Sequence, residues 1–282
     1  MNGKIVLITG TSTGMGLETA LGAANAGWRV VATMRDVAKA DRLRKAAESA
    51  GVGELIEVRP LDVTDPASVA ECVNGVVADH GALHALINNA GSGHVGTLET
   101  DGVDVARRVM EVNFFGVLNA TAAALPHLRA TGGRVLTVSS VGGVIGQPFN
   151  EAYCAAKFAV EGYMEALAPV AATVGVGVII VEPAAVASEF VANVGIPADQ
   201  KELTDRMGPY APAAQAYLTR TAGAFANAQS AADAAAAVVA ALTAERPALR
   251  VQTSDAARAF VAPKLADADG SAVFALTSPW VA

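Results

Sequence analysis

Short apolar runs alternate along the chain with longer stretches in which apolar residues recur every three or four positions. The short runs predict buried strands, and the longer stretches predict amphipathic helices. Strands are expected near 4–9, 29–34, 55–60, 84–88, 134–139, 176–182 and 249–252. Helices are expected near 15–26, 38–50, 66–80, 103–130, 152–173 and 230–243. This alternation is typical of the α/β class, and it predicts a doubly wound parallel sheet of about seven strands with helices on both faces.

The connection from about residue 184 to residue 229 departs from this alternation. It contains three prolines between amphipathic stretches. Because long connections in compact domains are often binding segments, this one predicts a lid over a substrate site. No internal repeat or linker interrupts the pattern, so residues 1–282 are expected to form one domain that ends in a tail from about 253 to 282.

The composition limits where the protein can work. Apolar residues make up 52% of the chain and charged residues only 17%, which excludes a disordered chain. The longest apolar stretches, 174–181 and 234–242, are shorter than the ~18–20 residues of a membrane span. The N-terminal apolar segment is too short for the core of a signal peptide. We therefore expect no spanning helix and a cytoplasmic protein.

The charge and the ligand-type residues exclude two further classes. A net charge of −7 and a pI near 5.1 argue against nucleic-acid binding, which needs a basic surface. The two cysteines and the four histidines lack the spacing of metal ligands. No metal site is expected.

A glycine-rich turn, TGTSTGMG at 9–16, follows the apolar run of the first strand. Glycines allow a tight turn and the close approach of a pyrophosphate, and the positive end of the following helix favours its charge. The spacing is G-x-x-x-G-x-G, and no P-loop Lys follows Gly16. The turn therefore favours a dinucleotide phosphate site over a nucleoside triphosphatase, with a glycine turn that binds nothing as the alternative.

Tyr153 and Lys157 are four residues apart on a predicted helix, so they share one face of it. A phenol is a weak acid at neutral pH, but a neighbouring ammonium stabilises the phenolate and is expected to lower its pKa. Such a tyrosine can act as a general acid or base. A solvated helix face with an extended Lys is the alternative.

Four motifs occur in one order along the chain: TGTSTGMG at 9–16, NNAG at 88–91, Asn113, and Ser140 with Tyr153 and Lys157. Twelve residues separate Ser140 from Tyr153. In these motifs the chain resembles the short-chain dehydrogenase/reductase family, of the compact single-domain type. The resemblance implies a Rossmann-like fold, an NAD(P) cofactor, and hydride transfer between the nicotinamide and a carbonyl or secondary alcohol.

The resemblance also implies roles for the catalytic residues. Tyr153 would exchange a proton with the substrate oxygen, and Lys157 would hold the nicotinamide ribose and favour the phenolate. Ser140 would bind the reacting oxygen, and Asn113 would tie a water molecule into the proton relay. Ser139 is the competing serine, but alternate strand residues face opposite ways, and the spacing favours Ser140.

A second set of positions matches the family's cofactor site. It comprises Gly10, Ser12, Thr13, Gly14, Met15, Gly16, Met34, Arg35, Asp62, Val63, Asn89, Ala90, Gly91, Pro183, Val186 and Ser188, together with Tyr153 and Lys157. Asp62 matches the adenine position, and Asp65 is the better helix cap. The chain departs from the family at Ala184, where glycine is usual, and at Ser188, where threonine is more usual.

The end of the second strand decides between NADP and NAD. An acidic residue there would bind the ribose 2′-hydroxyl and repel a 2′-phosphate. Met34 occupies that place, and Arg35 follows with a guanidinium suited to phosphate. NADP is therefore favoured, with NAD possible, because a shift of two residues would make Asp36 the discriminating acid.

The substrate and the partners are less constrained. Phe149, Phe190, Met207, Tyr210 and Tyr217 could line an apolar pocket under the lid or belong to an ordinary core. A small ketone, aldehyde or alcohol of moderate hydrophobicity is expected. The family also implies a homo-oligomer, a dimer or tetramer, paired through the helices near 103–130 and 152–173. The alternative function is a dinucleotide-sensing regulator without turnover.

Overall fold

Seven parallel strands form the predicted sheet in a computed structural model that describes residues 3–189, 200–266, 275, 276 and 279. The strands are β1 (Ile5–Thr9), β2 (Arg29–Met34), β3 (Ile56–Pro60), β4 (Ala85–Asn88), β5 (Arg134–Val138), β6 (Gly177–Glu182) and, last in this sheet, β9 (Arg250–Gln252). Their order is β3-β2-β1-β4-β5-β6-β9. The predicted fold class is confirmed, and each strand lies within one residue of its predicted bounds.

Helices cover both faces of the sheet. They are α1 (Gly14–Asn25), α2 (Asp41–Ser49), α3 (Pro66–His80), α4 (Leu98–Met110), α5 (Gly116–Thr131), α6 (Glu151–Ala172), α7 (Gln200–Met207), α8 (Ala211–Ala226), α9 (Ala231–Thr243) and α10 (Asp255–Val261). One core cluster joins α1, α2 and α9 to the sheet, and another joins α3, α5 and α6 to the opposite face. The interiors of the five central strands are buried on both faces, which explains their nearly continuous apolar sequences, whereas the edge strands β3 and β9 are half-buried.

The helix predicted near 103–130 is longer and less regular than expected. It begins at Leu98, kinks at Gly102, where φ is +70°, and contains a π-helical turn over Glu111–Phe115. Asn113 lies at the centre of that turn. Single π-helical turns inside α-helices occur frequently at functional sites.

The same continuous helix bears on the membrane prediction. Leu98–Thr131, 34 residues long, is the one helix in the described part of the chain that is long and apolar enough to cross a membrane. This criterion uses length and composition alone, so the expectation of no spanning helix stays a prediction. Its side chains Val117, Ala120, Ala124 and Leu128 pack in the core, and a buried core helix passes the same test. A cytoplasmic location stays a prediction.

The connection near 184–229 contains more regular structure than predicted. Its described residues include α7, α8 and two short strands, β7 (Val186–Ala187) and β8 (Gln229–Ser230), which pair in parallel. Pro209 and Pro212 lie in the first turns of helical segments, where the missing N–H group has no helical partner to lose. These prolines therefore begin helices rather than break them. Phe190, a predicted pocket residue, lies outside the described residues.

Candidate active site

The glycine turn joins β1 to α1 at the carboxyl edge of the sheet. Gly10 has a φ of +72°, and the backbone N–H groups of Gly10 and Thr11 donate to the Thr33 carbonyl at 2.9 and 3.0 Å. Helix α1 begins at Gly14, where Thr13 gives no side-chain cap and no acidic residue lies in the first turn. The uncapped N–H groups and positive end of α1 therefore suit an anionic pyrophosphate.

Gly16 fixes the spacing between the turn and β4. A Cβ at this position would lie 2.2 Å from the Gly10 carbonyl oxygen and 2.4 Å from Asn89 Nδ2. Asn89 Nδ2 donates to the carbonyls of Thr9 and Gly10, both at 2.9 Å. The amide of Asn89 thus holds the turn directly, and its cofactor-binding role stays a prediction.

Thr9 is a contributor that the sequence reasoning missed. Its buried hydroxyl accepts hydrogen bonds from the backbone N–H groups of Asn89 and Ala90, each at 3.0 Å. This contact ties the end of β1 to the end of β4. From this pair of strands, the sheet extends one way through β2 and β3 and the other way through β5 and β6. The signal available in the sequence was a polar residue at the end of an apolar strand. Ligands in open α/β sheets bind at such a position.

Ser140 and Tyr153 come together where β5 ends and α6 begins. The Ser140 hydroxyl oxygen accepts from the Gly142 backbone N–H at 3.0 Å, and Ser140 also hydrogen-bonds with Tyr153. Ser139, the competing serine, is buried on the other side of the chain. Ser140 and Tyr153 are both half-buried residues.

Lys157 follows Tyr153 by one helical turn and is 4% exposed. Its Nζ lies 5.8 Å from the centre of the Tyr153 ring and donates to the Val138 carbonyl at 2.9 Å. This hydrogen bond uses one of the three ammonium protons. Lys157 is therefore a fixed buried cation beside the phenol, and the solvated-face alternative is wrong.

The pKa values differ from the expectation. Burial raises the pKa of Tyr153 to about 12, although the hydrogen bond from Ser140 lowers it. Burial lowers the pKa of Lys157 to about 8, against the carboxylate of Glu161, which raises it. The expected lowering of the phenol pKa by Lys157 is therefore not found, because desolvation of the phenolate outweighs the hydrogen bond with Ser140.

Asn113 fixes the loop after β4. Its Nδ2 donates to the carbonyls of Ser92 and Val109 at 2.9 and 3.0 Å, and its Oδ1 accepts from the Ser92 N–H at 3.2 Å. A Cβ on Gly91 would lie 2.9 Å from Asn113 Oδ1 and 3.8 Å from Lys157 Nζ. Asn113, Gly91 and Lys157 are thus neighbours, and the predicted water-binding role of Asn113 stays a prediction.

The side chains at the end of β2 bear on the choice between NADP and NAD. Asp36 accepts from the Ala38 N–H at 3.0 Å and caps a short 3₁₀ helix, so its carboxylate has a structural use. Arg35 is exposed and pairs with no carboxylate in the described part of the chain. Met34 is buried in the core, so Arg35 is the better placed of the two predicted residues.

The two carboxylates after β3, Asp62 and Asp65, make different hydrogen bonds. Asp65 caps α3 by accepting from the Ala67 N–H at 2.9 Å. Asp62 Oδ1 accepts from the N–H and the hydroxyl of Thr64 at 2.9 and 2.8 Å, which orients the carboxylate at the sheet edge. Val63 is buried, and its carbonyl accepts from Asn119 at 2.9 Å.

The segment after β6 approaches the glycine turn from the other side. Pro183 accepts a backbone hydrogen bond from Val141 at 3.0 Å, and Val186 lies in β7. A Cβ on Gly14 would lie 3.1 Å from Ser188 Cβ, so Ser188 touches the turn. The Ala184 methyl, where the family usually has glycine, packs against a buried apolar cluster that includes α10 residues.

Three of the five predicted pocket residues lie in one buried cluster. Phe149, Met207 and Tyr217 are buried together, and the rings of Phe149 and Tyr217 are 5.7 Å apart. The Asn150 amide donates to the Tyr217 hydroxyl at 2.6 Å. Tyr210 is exposed, and its hydroxyl donates to Glu99 at 2.7 Å. These side chains join the segment from α7 to α8 to the regions before α4 and α6, and a pocket-lining role stays a prediction.

The arrangement fits a dinucleotide with its reactive end beside Tyr153. The uncapped start of α1 suits the pyrophosphate, and Ser12, Thr13 and Met15 lie half-buried along the turn. Lys157 and the hydroxyls of Ser140 and Tyr153 lie farther along the same edge of the sheet. The site can therefore hold a dinucleotide and move a proton at a substrate oxygen.

Comparison with known proteins decides the family. The family model described as short chain dehydrogenase matches residues 4–198. The chain belongs to the short-chain dehydrogenase/reductase family. Retinol dehydrogenase 8 from Bos taurus is 37% identical over 280 residues, which cover 95% of this chain and 87% of that protein. Human 17-beta-hydroxysteroid dehydrogenase type 1 is 37% identical over 275 residues, which cover 95% and 82%.

Solved structures of this family share the fold. A short-chain dehydrogenase from Streptomyces avermitilis is 31% identical with a TM-score of 0.77, covering 99% of this chain and 96% of that one. A short-chain dehydrogenase from Burkholderia cenocepacia, solved in complex with NADP, is 26% identical with a TM-score of 0.74, covering 98% of both chains. This short-chain dehydrogenase/reductase is thus an oxidoreductase of alcohol or carbonyl groups, with NAD(P) as the family's hydride carrier.

Proposed function

We propose that this short-chain dehydrogenase/reductase prefers NADP and transfers hydride between nicotinamide and an apolar carbonyl or secondary alcohol, with Tyr153 as its general acid or base. The observation that carries the NADP preference is the contrast at the end of β2. Arg35 is exposed there, while the neighbouring carboxylate of Asp36 caps a helix. A guanidinium attracts a 2′-phosphate, and Met34, at the place expected for a discriminating acid, carries no negative charge.

The proton chemistry follows from the positions of three side chains. In reduction, the Tyr153 hydroxyl donates its proton to the carbonyl oxygen, and in oxidation the phenolate removes the proton from the alcohol. Ser140 donates a hydrogen bond to the same oxygen and stabilises the charge that develops on it. Lys157 holds its positive charge beside the phenol. When bound, the nicotinamide supplies or accepts the hydride.

The substrate class is supported by the named relatives. A retinol dehydrogenase and a 17-beta-hydroxysteroid dehydrogenase match 95% of this chain. Both names denote alcohols on large apolar skeletons. The described lid residues are also apolar where they face the segment before α6. We infer that the substrate is a mainly apolar molecule with one reacting oxygen.

The test of this function is the loss of NADPH absorbance with a carbonyl panel. The panel runs from small diketones through aromatic aldehydes to retinal and steroid ketones, and the same panel is repeated with NADH. We expect turnover with the large apolar members and a higher kcat/KM with NADPH. Faster turnover of the small diketones, or a clear preference for NADH, would contradict the corresponding part of the proposal.

Arg35→Ala is expected to lower the kcat/KM for NADPH by about tenfold or more and to leave that for NADH nearly unchanged. The loss corresponds to a charge-assisted hydrogen bond to phosphate, worth about 1.5–3 kcal/mol. Adding Met34→Asp is expected to move the preference towards NADH. The control is Arg44→Ala, since Arg44 is exposed on α2 and pairs only loosely with Asp41 at 3.5 Å. An unchanged preference in the double variant would show that the 2′-position is read elsewhere.

We propose that a homo-oligomer forms through α5 and α6. Phe115, in the π-helical turn just before α5, is 43% exposed, and Phe158 and Tyr163 on α6 are 39% and 46% exposed. Phe114 packs edge-on against Phe115 and Tyr163, with ring centres 5.1 and 6.1 Å apart. Clustered aromatic side chains on a surface are typical of interfaces.

Light scattering is expected to give a mass of at least two chains for the unmodified protein and a smaller mass for Phe115→Glu. A carboxylate buried at an apolar interface without a partner is costly, so the association should weaken. Val174→Glu is the control, because Val174 is 47% exposed beyond the end of α6. A monomer in the unmodified protein would refute the proposal.

A further inference from the structure

A buried cluster of charges lies behind the catalytic lysine and has no part in the chemistry described above. Glu161 on α6 is 5% exposed, and Glu182 at the end of β6 is 1% exposed. Arg250 on β9 joins them, with its Nε 3.1 Å from Glu161 Oε2 and 3.3 Å from Glu182 Oε1. The outermost member is Glu165, whose Oε2 lies 2.6 Å from the Arg250 guanidinium and whose side chain is 57% exposed.

Glu161 faces the catalytic end of the cluster. It follows Lys157 by four residues on α6, so both side chains lie on the same face of the helix. A Cβ on Gly143 would lie 3.0 Å from Glu161 Cγ, 2.7 Å from Ser139 Oγ and 3.0 Å from the Lys157 carbonyl oxygen. The absence of a side chain at Gly143 therefore lets Glu161 pack against Ser139, the residue that follows the Val138 carbonyl holding Lys157.

The polar atoms at this end are incompletely satisfied. Ser139 Oγ, Glu161 Oε1 and Glu182 Oε1 are buried and have no well-aligned hydrogen-bond partner among the described residues. Ser139 still lies close enough to Glu161 to stabilise its carboxylate. Buried carboxylate oxygens without hydrogen-bond partners destabilise the folded protein. Replacing buried charged groups with apolar residues of similar volume often leaves stability unchanged or raises it. A functional role for these carboxylates would explain why the fold carries this destabilisation.

We propose that Glu161, clamped by Arg250, is a positioning residue that keeps Lys157 protonated and fixed on the Val138 carbonyl. The inference rests on the role proposed for Lys157. Two buried carboxylates, Glu161 and Glu182, are balanced by Arg250 and a protonated Lys157, so the buried group is neutral only when Lys157 carries its proton. Loss of the Lys157 proton would leave one uncompensated buried negative charge.

The pKa directions agree with this geometry. Burial lowers the pKa of Lys157 to about 8, and Glu161 acts against that lowering. Burial raises the pKa of Glu161, and Glu182 adds to the rise, whereas Ser139 and Arg250 lower it. The charged groups facing Glu161 are therefore Lys157 and Glu165 from its own helix, Glu182 from β6 and Arg250 from β9.

The test is Glu161→Gln, which keeps the shape and removes the charge. The pKa of Lys157 is then expected to fall by about one unit, because an attractive charge is lost. Lysine-labelled NMR of the cofactor-free protein, with Lys157→Arg for assignment, measures that pKa directly. In the pH profile of kcat/KM, the alkaline limb is expected to move to lower pH by the same amount, since activity is lost as Lys157 deprotonates.

Two further variants sharpen the test. Glu165→Gln removes the exposed partner of the same arginine and is expected to move neither the Lys157 titration nor the pH profile. Glu161→Asp keeps the charge and is expected to keep the Lys157 pKa and the pH profile of kcat/KM close to those of the unmodified protein. This variant can still be measured if Glu161→Gln does not fold.

The outcomes separate this inference from the function on which it rests. A folded Glu161→Gln protein with an unchanged Lys157 titration would overturn the inference, and so would an equal shift in Glu165→Gln. A shifted titration with an unchanged pH profile would support the link between Glu161 and Lys157 and contradict the catalytic role proposed for Lys157.

Discussion

Replacing Tyr153 with Phe is expected to lower kcat for carbonyl reduction by about 10²–10⁴-fold while leaving NADPH binding intact. The role proposed for Tyr153 requires its phenol oxygen, which hydrogen-bonds with Ser140, to exchange a proton with the substrate oxygen. The ring is retained, so its packing beside Lys157 is kept. The loss therefore falls on the chemical step.

The measurement is steady-state NADPH oxidation with the best carbonyl of the panel, together with NADPH affinity from fluorescence quenching. Tyr163→Phe is the matched control, because it removes a hydroxyl from the same helix at a side chain that is 46% exposed. The control should keep nearly full activity. If Tyr153→Phe kept kcat within a few-fold of the unmodified protein, proton transfer would have to pass through another group or through water.

The direction in which the pKa of Tyr153 is shifted could not be predicted from the local sequence. A Lys one turn away predicts a lowered phenol pKa, and the helix does bring the two side chains together. Burial nevertheless raises the pKa to about 12. The spacing of two residues gives their proximity, but the desolvation of a phenol depends on every element packed around it, and no local pattern contains that information.

The five central strands were predictable because each is a short, mainly apolar run that is buried on both faces. The interior of β4, for example, is apolar and fully buried. Helices α7 and α8 were not among the predicted helices, although the connection near 184–229 shows amphipathic stretches between its prolines. Proline disfavours the interior of a helix but suits its first turn, and only the position relative to the helix start separates the two cases.

The charge cluster behind Lys157 was not predictable from the chain. Arg250 and Glu161 are 89 residues apart, and Glu161 alone reads as an ordinary charged residue on a helix. Glu182 likewise ends a buried strand without a local partner. Their meeting depends on the order of β6 and β9 in the sheet, which places both carboxylates around one guanidinium.

Replacing Gly16 with Ala is expected to lower the free energy of unfolding by about 3 kcal/mol and to abolish the stabilisation by NADPH. The new Cβ would lie 2.2 Å from the Gly10 carbonyl oxygen and 2.4 Å from Asn89 Nδ2. The first of these atoms belongs to the backbone and cannot turn away. The glycine turn must therefore separate from the end of β4, which breaks the Asn89 hydrogen bonds that hold the turn.

Thermal unfolding with and without saturating NADPH measures both effects. Gly223→Ala is the matched control, since Gly223 lies in α8 and a Cβ there would meet nothing within 4 Å. Alanine favours a helix over glycine by up to about 1 kcal/mol, so this control should unfold at the same or a higher temperature and keep its response to NADPH. A Gly16→Ala protein that still gained stability from NADPH would show that the turn can relax without losing the pyrophosphate. The anion would then be held mainly by the start of α1, whose uncapped N–H groups the substitution leaves in place.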